Sequence, residues 1–371
     1  MRFSLALVDR GLMPDRLIRA GIRRLLQERL DEQRAIWGEG PGPRETAMER
    51  WLQSLRGGAI APVPEKANEQ HYEVPPAFFQ AALGPHLKYS SCLYPDPAVS
   101  PKDAPPLEEA EAAMLALTCE RAQLDDGQDV LEMGCGWGSL TLWMGAHYPN
   151  SRIVAVSNSA PQRAFIEGQA AERGLTNITV LTRDMNQLTG DPAFPSSGFD
   201  RAVSVEMFEH MSNWEALLTR VHGWLKDGGL FFAHVFAHRS YAYRFEVQDE
   251  SDWMSQHFFS GGIMPSRDQF QRVQCPLEAV DQWDVDGRHY SLTAEAWLGN
   301  LDMHRKEVEA SLKALYGAET RLWVRRWRVF FLSCAELFGV ADGKEWLVSH
   351  NLLRRRPGSA TALESPSRSN A

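Results

Sequence analysis

The sequence predicts an α/β fold with a mostly parallel sheet, and two observations support that prediction. Between residues 129 and 236, short apolar segments alternate with longer segments of helical periodicity, as in βαβ units. A glycine-rich turn at residues 134–138 connects the first apolar segment to a helical one. The predicted strands are 129–133, 152–157, 178–181, 199–205 and 230–236, and the predicted helices are 139–147, 161–173 and 214–226.

An N-terminal helix is predicted over residues 14–35. Its apolar side chains recur at helical spacing, and Arg16, Arg19, Arg23 and Arg24 surround the stripe. Two interpretations are open for this helix. It either packs on the core with its arginines in solvent, or it presents a surface that contacts anionic lipid or gates a site.

The predicted organisation has three parts. A helical extension spans 1–65, a main domain with a substrate cap spans 66–356, and a Ser/Pro/Ala-rich tail expected to be disordered spans 357–371. The last third of the main domain is expected to be less regular, with a helix at 321–338 and a final strand at 345–353.

Charge and cysteine usage exclude some classes of function. The formal net charge of −9 argues against a nucleic-acid binder that relies on a broad basic surface. Five cysteines, an odd number with no C-x-x-C pair, make a disulfide framework or a cysteine zinc site unexpected. No apolar run approaches the ~20 residues that a membrane helix needs. A cytoplasmic setting is the simplest interpretation.

The glycine-rich turn is the strongest motif in the chain. Gly134, Gly136 and Gly138 are spaced G-x-G-x-G, whereas dinucleotide-binding turns have G-x-G-x-x-G. Glu132 lies just before the turn, where its carboxylate would repel a pyrophosphate but attract the cationic end of S-adenosylmethionine (SAM). The turn therefore predicts SAM as the cofactor of a class I, Rossmann-like methyltransferase.

The ends of the second and third strands supply further candidates for cofactor binding. The second strand lacks the acidic residue that often holds a ribose in class I methyltransferases. Ser159 and Gln162, with Pro161 between them, form a capping-box pattern, which is either a plain helix cap or a ribose site shared by Asn158 and Gln162. Asp184 follows the third strand and is either an acceptor for the adenine amino group or a solvated loop acid.

Three ionisable side chains follow the fourth strand, at the sheet edge where open α/β sheets bind ligands. Glu206 and His210 are spaced i, i+4, so a helical turn would place them on one face, with Glu209 between them. A metal site and a buried structural histidine are the alternatives. The catalytic interpretation is that a carboxylate attracts a cationic amine and an imidazole accepts its proton.

Several longer motifs carry a resemblance to a known family. They comprise HYE at 71–73, LKYSSCLY at 87–94, CERAQLDDGQDVLEMGCGWGSL at 119–140, VEMFEHM at 205–211, FFSGGIMPS at 258–266, HYSLTAEAW at 289–297 and FFLSCAELFG at 330–339. In their order and number they resemble the cyclopropane-fatty-acyl-phospholipid synthase family, and more closely its coclaurine N-methyltransferase-like branch. The resemblance implies a SAM-binding core under a cap that holds the methyl acceptor.

The resemblance also implies roles for individual residues. The residues implied to contact SAM are Tyr89, Ser90, Gly134, Gly136, Asn158, Gln162 and Asp184. Those implied to serve an amine are Glu206, Glu209 and His210.

Departures from the cyclopropane synthases favour one branch. Those enzymes resemble this chain but usually have glycine at the position of Glu206, and they bind a bicarbonate through a cysteine, a glutamate, a histidine and a tyrosine. Here Glu209 and His234 match, but Ser91 replaces the cysteine and residues 329–331 carry no hydroxyl. We therefore expect methylation of a small amine. The alternatives are methyl or methylene transfer to a fatty-acyl lipid, with peripheral membrane contact, and a non-catalytic SAM-binding scaffold.

Overall fold

The strands form one seven-stranded sheet and one two-stranded sheet. The computed structural model describes residues 7–63, 74–246 and 253–358. The strands are β1 (Asp129–Met133), β2 (Arg152–Ser157), β3 (Ile178–Thr182), β4 (Phe199–Val205), β5 (Leu225–His238), β6 (Tyr243–Arg244), β7 (Ile263–Met264), β8 (Leu277–Val285) and β9 (Trp346–Arg355). The large sheet has the order β3-β2-β1-β4-β5-β9-β8. It is parallel from β3 to β5, and β9 and β8 are antiparallel additions, so the predicted fold class is confirmed.

Helices lie on both faces of the sheet and form a cap beyond one end of it. They are α1 (Asp15–Trp37), α2 (Pro41–Leu55), α3 (Pro76–Ala82), α4 (Leu107–Arg121), α5 (Ser139–His147), α6 (Ala160–Glu172), α7 (Trp214–Trp224), α8 (Trp253–His257), α9 (Gln269–Arg272), α10 (Gly287–Met303), α11 (Arg305–Tyr316) and α12 (Thr320–Gly339). The cap is built around α10 and α12, and its apolar core includes Trp297, Trp327 and Phe331.

The predicted α/β elements are present with small shifts at their ends. Strand β5 begins at Leu225, five residues earlier than predicted, because the 227–229 turn is a bulge within the strand. The prediction of a less regular C-terminal third is wrong, since β8, α10 and α11 fill it, while α12 and β9 confirm the helix predicted at 321–338 and the strand predicted at 345–353. Strand β8 escaped prediction because it is an edge strand with mostly polar, half-exposed side chains and no apolar alternation.

The N-terminal helix α1 is confirmed, and it packs on the cap. Arg19 bonds both Glu295 of α10 (2.6 Å) and Glu336 of α12 (2.9 Å), and Arg23 also pairs with Glu336. The interpretation that places all its arginines in solvent is therefore wrong for Arg19, which is anchored to two helices of the cap. The apolar stripe, including Ile18, faces a cavity beneath the helix.

Two predictions fall wholly or largely on undescribed parts of the chain. The HYE segment at 71–73 lies outside the described residues, as does the predicted tail beyond residue 358. Within the described ranges, no helix combines the length and the apolarity that crossing a bilayer requires.

Candidate active site

A cavity, here called the glycine-turn cavity, lies at the carboxyl ends of β1 to β4. It is lined by Ala61, Val63, Gly134, Gly136, Val156, Ser157, Asn158, Gln162, Arg183, Asp184, Met185, Met207, His210, Met211, Ser260, Gly261 and Gly262. Parallel strands end together at this edge, so loops that are distant in sequence meet there. Among the sequence-predicted residues, Gly134, Gly136, Asn158, Gln162, Asp184 and His210 are brought together.

The glycine turn needs its glycines for two different reasons. Gly134, Gly136 and Gly138 have φ angles of 79°, 51° and 82°, a region that side chains disfavour. A Cβ on Gly134 would lie 2.7 Å from the Met207 Cβ, and one on Gly138 would lie 2.6 Å from Ile166. A Cβ on Gly136 would meet no atom of the described residues within 4 Å, so its missing side chain leaves open space beside the turn. Gly138 thus serves the packing of α5 on α6 and does not line the cavity.

Gln162 gives the glycine-turn cavity a buried polar group without a partner. Ser159 caps α6 by accepting from the Gln162 backbone N, as the cap interpretation predicts. The Gln162 side chain departs from a reciprocal capping box, because its Oε1 accepts from the Ser157 hydroxyl at 2.6 Å. Among the described residues its buried Nε2 has no hydrogen-bond partner. An unpaired amide donor in this wall fits a ligand hydroxyl such as those of the SAM ribose.

Asp184 also lines the glycine-turn cavity, and the loop holds its carboxylate in place. Its Oδ1 accepts from the backbone N of Asn186 at 2.8 Å, while Asn186 bonds the backbone of Ala61 from the N-terminal segment. A carboxylate with remaining acceptor capacity suits an amino group such as that of adenine. Together, the residues of this cavity fit SAM.

Three other predicted cofactor residues do not line the glycine-turn cavity. Glu132 is buried below the turn and accepts from the Thr141 hydroxyl at 2.5 Å, and burial raises the pKa of its carboxyl to about 7. Ser90 is buried against the amine of Lys88. Tyr89 instead lines the neighbouring cavity, described next.

A larger cavity, here called the aromatic cavity, lies between α1 and the cap. Its volume is about 560 Å³, within the range of small-molecule sites. Its wall combines aliphatic residues of α1 with aromatic residues from several other elements, namely Tyr89, Phe236, Tyr243, Phe245, Trp253, Phe259, Tyr290, Trp297, Phe330 and Phe338. Glu206 and His210 are the ionisable side chains of the 206–210 segment in this wall.

The carboxylate of Glu206 is held by donors from three separate elements. Oε1 accepts from the Ser91 backbone N at 3.1 Å and lies 3.3 Å from the His234 Nε2, and Oε2 accepts from the Tyr290 hydroxyl at 2.7 Å. Burial is the largest influence on this carboxyl and raises its pKa to about 7, although the nearby Lys88 ammonium opposes the rise. Such a group changes charge near neutral pH.

The predicted helical turn between Glu206 and His210 is wrong. Glu206 has φ 48° and pairs its backbone N with the His234 carbonyl of β5, and only Phe208–His210 form a 3₁₀ helix. A left-handed residue of this kind costs about 1 kcal/mol, and such strain is concentrated at functional sites. The bend still turns both side chains toward the aromatic cavity.

Glu209 and His210 have different surroundings. Glu209 is fully buried and accepts from the Phe236 backbone N at 2.7 Å, which ties the 3₁₀ turn to β5. Burial, with the neighbouring charge of Glu206, raises the pKa of Glu209 well above its usual value, and among the described residues its carboxyl lines neither cavity. His210 lines both cavities and contacts the ring of Phe259. It therefore marks the junction where two ligands would meet.

Sequence reasoning missed two residues that act on Glu206. Tyr290 bonds the carboxylate and belongs to the HYSLTAEAW motif that carries the resemblance, although the motif alone assigns it no role. Lys88 is 2% exposed and bonds Ser90, so it brings a buried positive charge near the carboxylate. Its position inside the LKYSSCLY motif was the available signal.

A sheet of this strand order, with a SAM-compatible cavity at the carboxyl ends of its parallel strands, defines the class I SAM-dependent methyltransferases. A narrower assignment comes from comparison with known proteins. The chain belongs to the family described as mycolic acid cyclopropane synthetase, whose model matches residues 63–344.

Similar proteins fall into two groups. The chain is 37% identical to (S)-coclaurine N-methyltransferase of Thalictrum flavum subsp. glaucum over 94% of each chain, and 34% identical to that of Papaver somniferum over 94% of this chain and 97% of the other. A crystal structure of coclaurine N-methyltransferase bound to N-methylheliamine and SAH superposes with a TM-score of 0.85 at 35% identity, covering 94% and 98% of the two chains. The cyclopropane synthase MmaA2 of Mycobacterium tuberculosis shares the fold, with a TM-score of 0.62 at 22% identity over 78% of this chain and 97% of that one.

Proposed function

We propose that this protein transfers a methyl group from SAM to the nitrogen of a small amine with an aromatic or apolar body. One observation carries the proposal: the Glu206 carboxylate lies in the wall of the aromatic cavity, close in sequence to His210, which lines both cavities. An apolar cavity with one convergent carboxylate suits an ammonium ion on an apolar body. The coclaurine N-methyltransferase relatives support the same substrate class.

The proposed roles follow from what each side chain faces. When bound, SAM supplies a methyl group on a positively charged sulfur, which leaves with the electron pair of the broken C–S bond. Gly134 and Gly136 admit the cofactor beside the turn, while Gln162 and Asp184 orient it. Glu206 attracts and orients the amine, and His210 accepts the proton that the nitrogen must lose to attack. Glu209 acts indirectly, by holding the 3₁₀ turn against β5.

Transfer to a fatty-acyl lipid is the second candidate, and the size and apolarity of the aromatic cavity favour it. The surroundings of Glu206 oppose it. The Ser91 backbone N and His234, two positions that the cyclopropane-synthase resemblance assigns to bicarbonate binding, are directed at the chain's own carboxylate. Because the oxygens of Glu206 already occupy those donors, a separate bicarbonate would lack a complete set of ligands.

Labelled methyl transfer distinguishes the two candidates. The purified protein, SAM carrying a labelled methyl group, and a panel of aromatic secondary amines, simple alkyl amines and vesicles with monounsaturated acyl chains are incubated in parallel. We expect label in the aromatic amine fraction, because those substrates combine a protonatable nitrogen with an apolar body. Label confined to the vesicle lipids, or transferred to no acceptor, would contradict the proposal.

The acid limb of the activity profile is expected near pH 7. Burial raises the pKa of the Glu206 carboxyl to about 7, so the carboxylate that attracts the amine is lost as pH falls through that value. Below it, kcat/KM for the amine should fall about tenfold per pH unit. Initial rates from pH 5.5 to 8.5, with circular dichroism at each pH to exclude unfolding, measure this limb. Activity that stays level from pH 8 to pH 5.5 would contradict a required carboxylate at Glu206 with a pKa near 7.

The cytoplasmic location and the peripheral membrane contact of α1 stay proposals from the sequence. Leu17 and Leu25 of α1 are 52% and 38% exposed beside Arg16 and Arg24, which supports an apolar and basic surface near the aromatic cavity. Sedimentation with anionic vesicles tests the contact directly.

A further inference from the structure

The strand register places four residues in one row across the sheet. Val205 of β4 pairs with His234 of β5, His234 pairs with His350 of β9, and His350 pairs with Trp283 of β8. Glu206 follows Val205 directly and donates its backbone N to the His234 carbonyl at 2.8 Å. The row therefore starts at the proposed amine site and ends at the far edge of the sheet.

The side chains of this row form a continuous hydrogen-bonded chain. Glu206 Oε1 lies 3.3 Å from His234 Nε2, His234 Nδ1 lies 2.9 Å from His350 Nε2, and His350 Nδ1 lies 2.8 Å from Nη1 of Arg121. Arg121 is the last residue of α4, and its guanidinium lies 5.0 Å above the ring of Trp283. Both histidines are fully buried.

The arginine determines the direction of every bond in this chain. Burial, the dominant influence, lowers the pKa of both histidines well below the usual value, so each ring is neutral and carries one hydrogen. A guanidinium only donates, so the Nδ1 of His350 accepts and its hydrogen lies on Nε2. His234 must then accept at Nδ1 and carry its own hydrogen on Nε2, where it faces Glu206.

We propose that Arg121 is a positioning residue for the proposed amine methylation, acting through the tautomers of His350 and His234 to make His234 a permanent donor to Glu206. The expected change in the pH profile of methylation rests on the proposed function. The tautomers inferred for His350 and His234 do not depend on it. Two consequences follow. His234 is not a base for the amine, because its nitrogen that faces Glu206 already carries a hydrogen. No proton leaves along this chain, because arginine cannot accept one.

Other charged groups around Glu206 do not determine the tautomer of His234. The titratable groups facing the carboxyl are Lys88, Cys92, Glu209, His234, Tyr290 and Cys334. Lys88 favours ionisation of Glu206 and Glu209 disfavours it. The charge of Lys88 also lowers the pKa of both histidines, but its side chain bonds Ser90 and that of Glu209 bonds the Phe236 backbone, so neither fixes a tautomer by a hydrogen bond. Loss of Arg121 leaves these groups in place but frees His350, and therefore His234, to adopt the opposite tautomer with a lone pair toward Glu206.

The test compares Arg121→Met with Arg121→Lys, which keeps a cationic donor, and with Arg201→Met as a matched loss of a half-buried arginine. Long-range ¹H–¹⁵N spectra of the histidine-labelled full chain report the tautomer of His234, assigned by the signal lost in His234→Asn. We expect a single Nε2–H form in the wild type, Arg121→Lys and Arg201→Met, and a mixture in Arg121→Met. The acid limb for amine methylation should move up by about one pH unit only in Arg121→Met, with SAM affinity unchanged.

The two readouts separate the failure of this inference from that of the proposed function. An unchanged His234 tautomer in Arg121→Met overturns the inference whether or not an amine is methylated. If the tautomer changes but no amine accepts a methyl group, the positioning chain stands and the proposed function fails. Should Arg121→Met not fold, His350→Leu removes the same donor to His234 with an apolar side chain and must produce the same tautomer mixture. An unchanged tautomer in that variant likewise overturns the inference.

Discussion

Replacing Glu206 by glutamine is expected to lower kcat/KM for the amine about 1,000-fold while changing the dissociation constant of SAM less than about twofold. Glutamine keeps the size of the side chain, and its amide oxygen can still accept from the Ser91 backbone N. Its amide nitrogen would face Tyr290 and donate to that hydroxyl, which donates to Glu206 in the wild type. The substitution removes the charge that attracts an ammonium ion. Because Glu206 lines the aromatic cavity and not the glycine-turn cavity, the cofactor should be insensitive to the change. Initial rates with labelled SAM and calorimetric titration of SAM measure the two quantities.

Glu111→Gln is the matched control for that experiment. Glu111 is also a buried carboxyl whose pKa burial raises to about 7, and its oxygens accept from the backbone N of His86 and Lys88. It lines neither cavity among the described residues, so its substitution should leave kcat/KM within about threefold of wild type. Equal losses of turnover and SAM affinity in Glu206→Gln would instead assign Glu206 to the cofactor site.

Replacing Gly136 by alanine is expected to weaken SAM binding about 30-fold or more. Gly136 lines the glycine-turn cavity, and within the described ranges a Cβ there meets no atom closer than 4 Å. The added methyl group would therefore lie in space left for the cofactor, so the protein itself needs little repacking. Its φ of 51° adds a backbone cost of about 1 kcal/mol to the folded state. Calorimetry with SAM and thermal unfolding of the ligand-free protein separate the two effects.

Gly174→Ala supplies the backbone control. Gly174 follows α6 at φ 67°, and a Cβ there also meets no atom of the described part of the chain within 4 Å. The residue is exposed and lines neither cavity. Both variants should lose similar thermal stability, whereas only Gly136→Ala should lose affinity for SAM. Comparable SAM affinities in the two variants would show that the turn does not approach the cofactor closely.

Local sequence signals were sufficient to predict the α/β core, because each of its strands and turns has a pattern within a few consecutive residues. The predicted strands 129–133, 152–157 and 199–205 match β1, β2 and β4 residue for residue, since buried parallel strands are short apolar runs with clear boundaries. The glycine turn was equally clear, because its residue types reflect backbone angles that few other residues tolerate. The cap was less predictable, since its residues make their contacts with distant parts of the chain.

Within the site, the sequence predicts which residues are present but not the surroundings of each side chain. Glu209 and His210 are adjacent in the chain, yet one is fully buried against β5 and the other lines both cavities. A helical turn was the natural local expectation for residues 206–210. The left-handed backbone of Glu206 follows from its pairing with β5, a contact with a residue 28 positions away.

The sequence by itself determined the parallel core, the glycine turn with its cofactor class, and the segment that carries the candidate chemistry. Only the tertiary structure decided which side chains reach the cavities, that α1 covers one of them, and that Arg121 is connected to Glu206 through two histidines. The physical reason is the separation along the chain over which each effect acts. Backbone angles and apolar periodicity act over a few residues, whereas burial, pKa values and hydrogen-bond direction arise from neighbours that are distant in the chain and adjacent only after the sheet has formed.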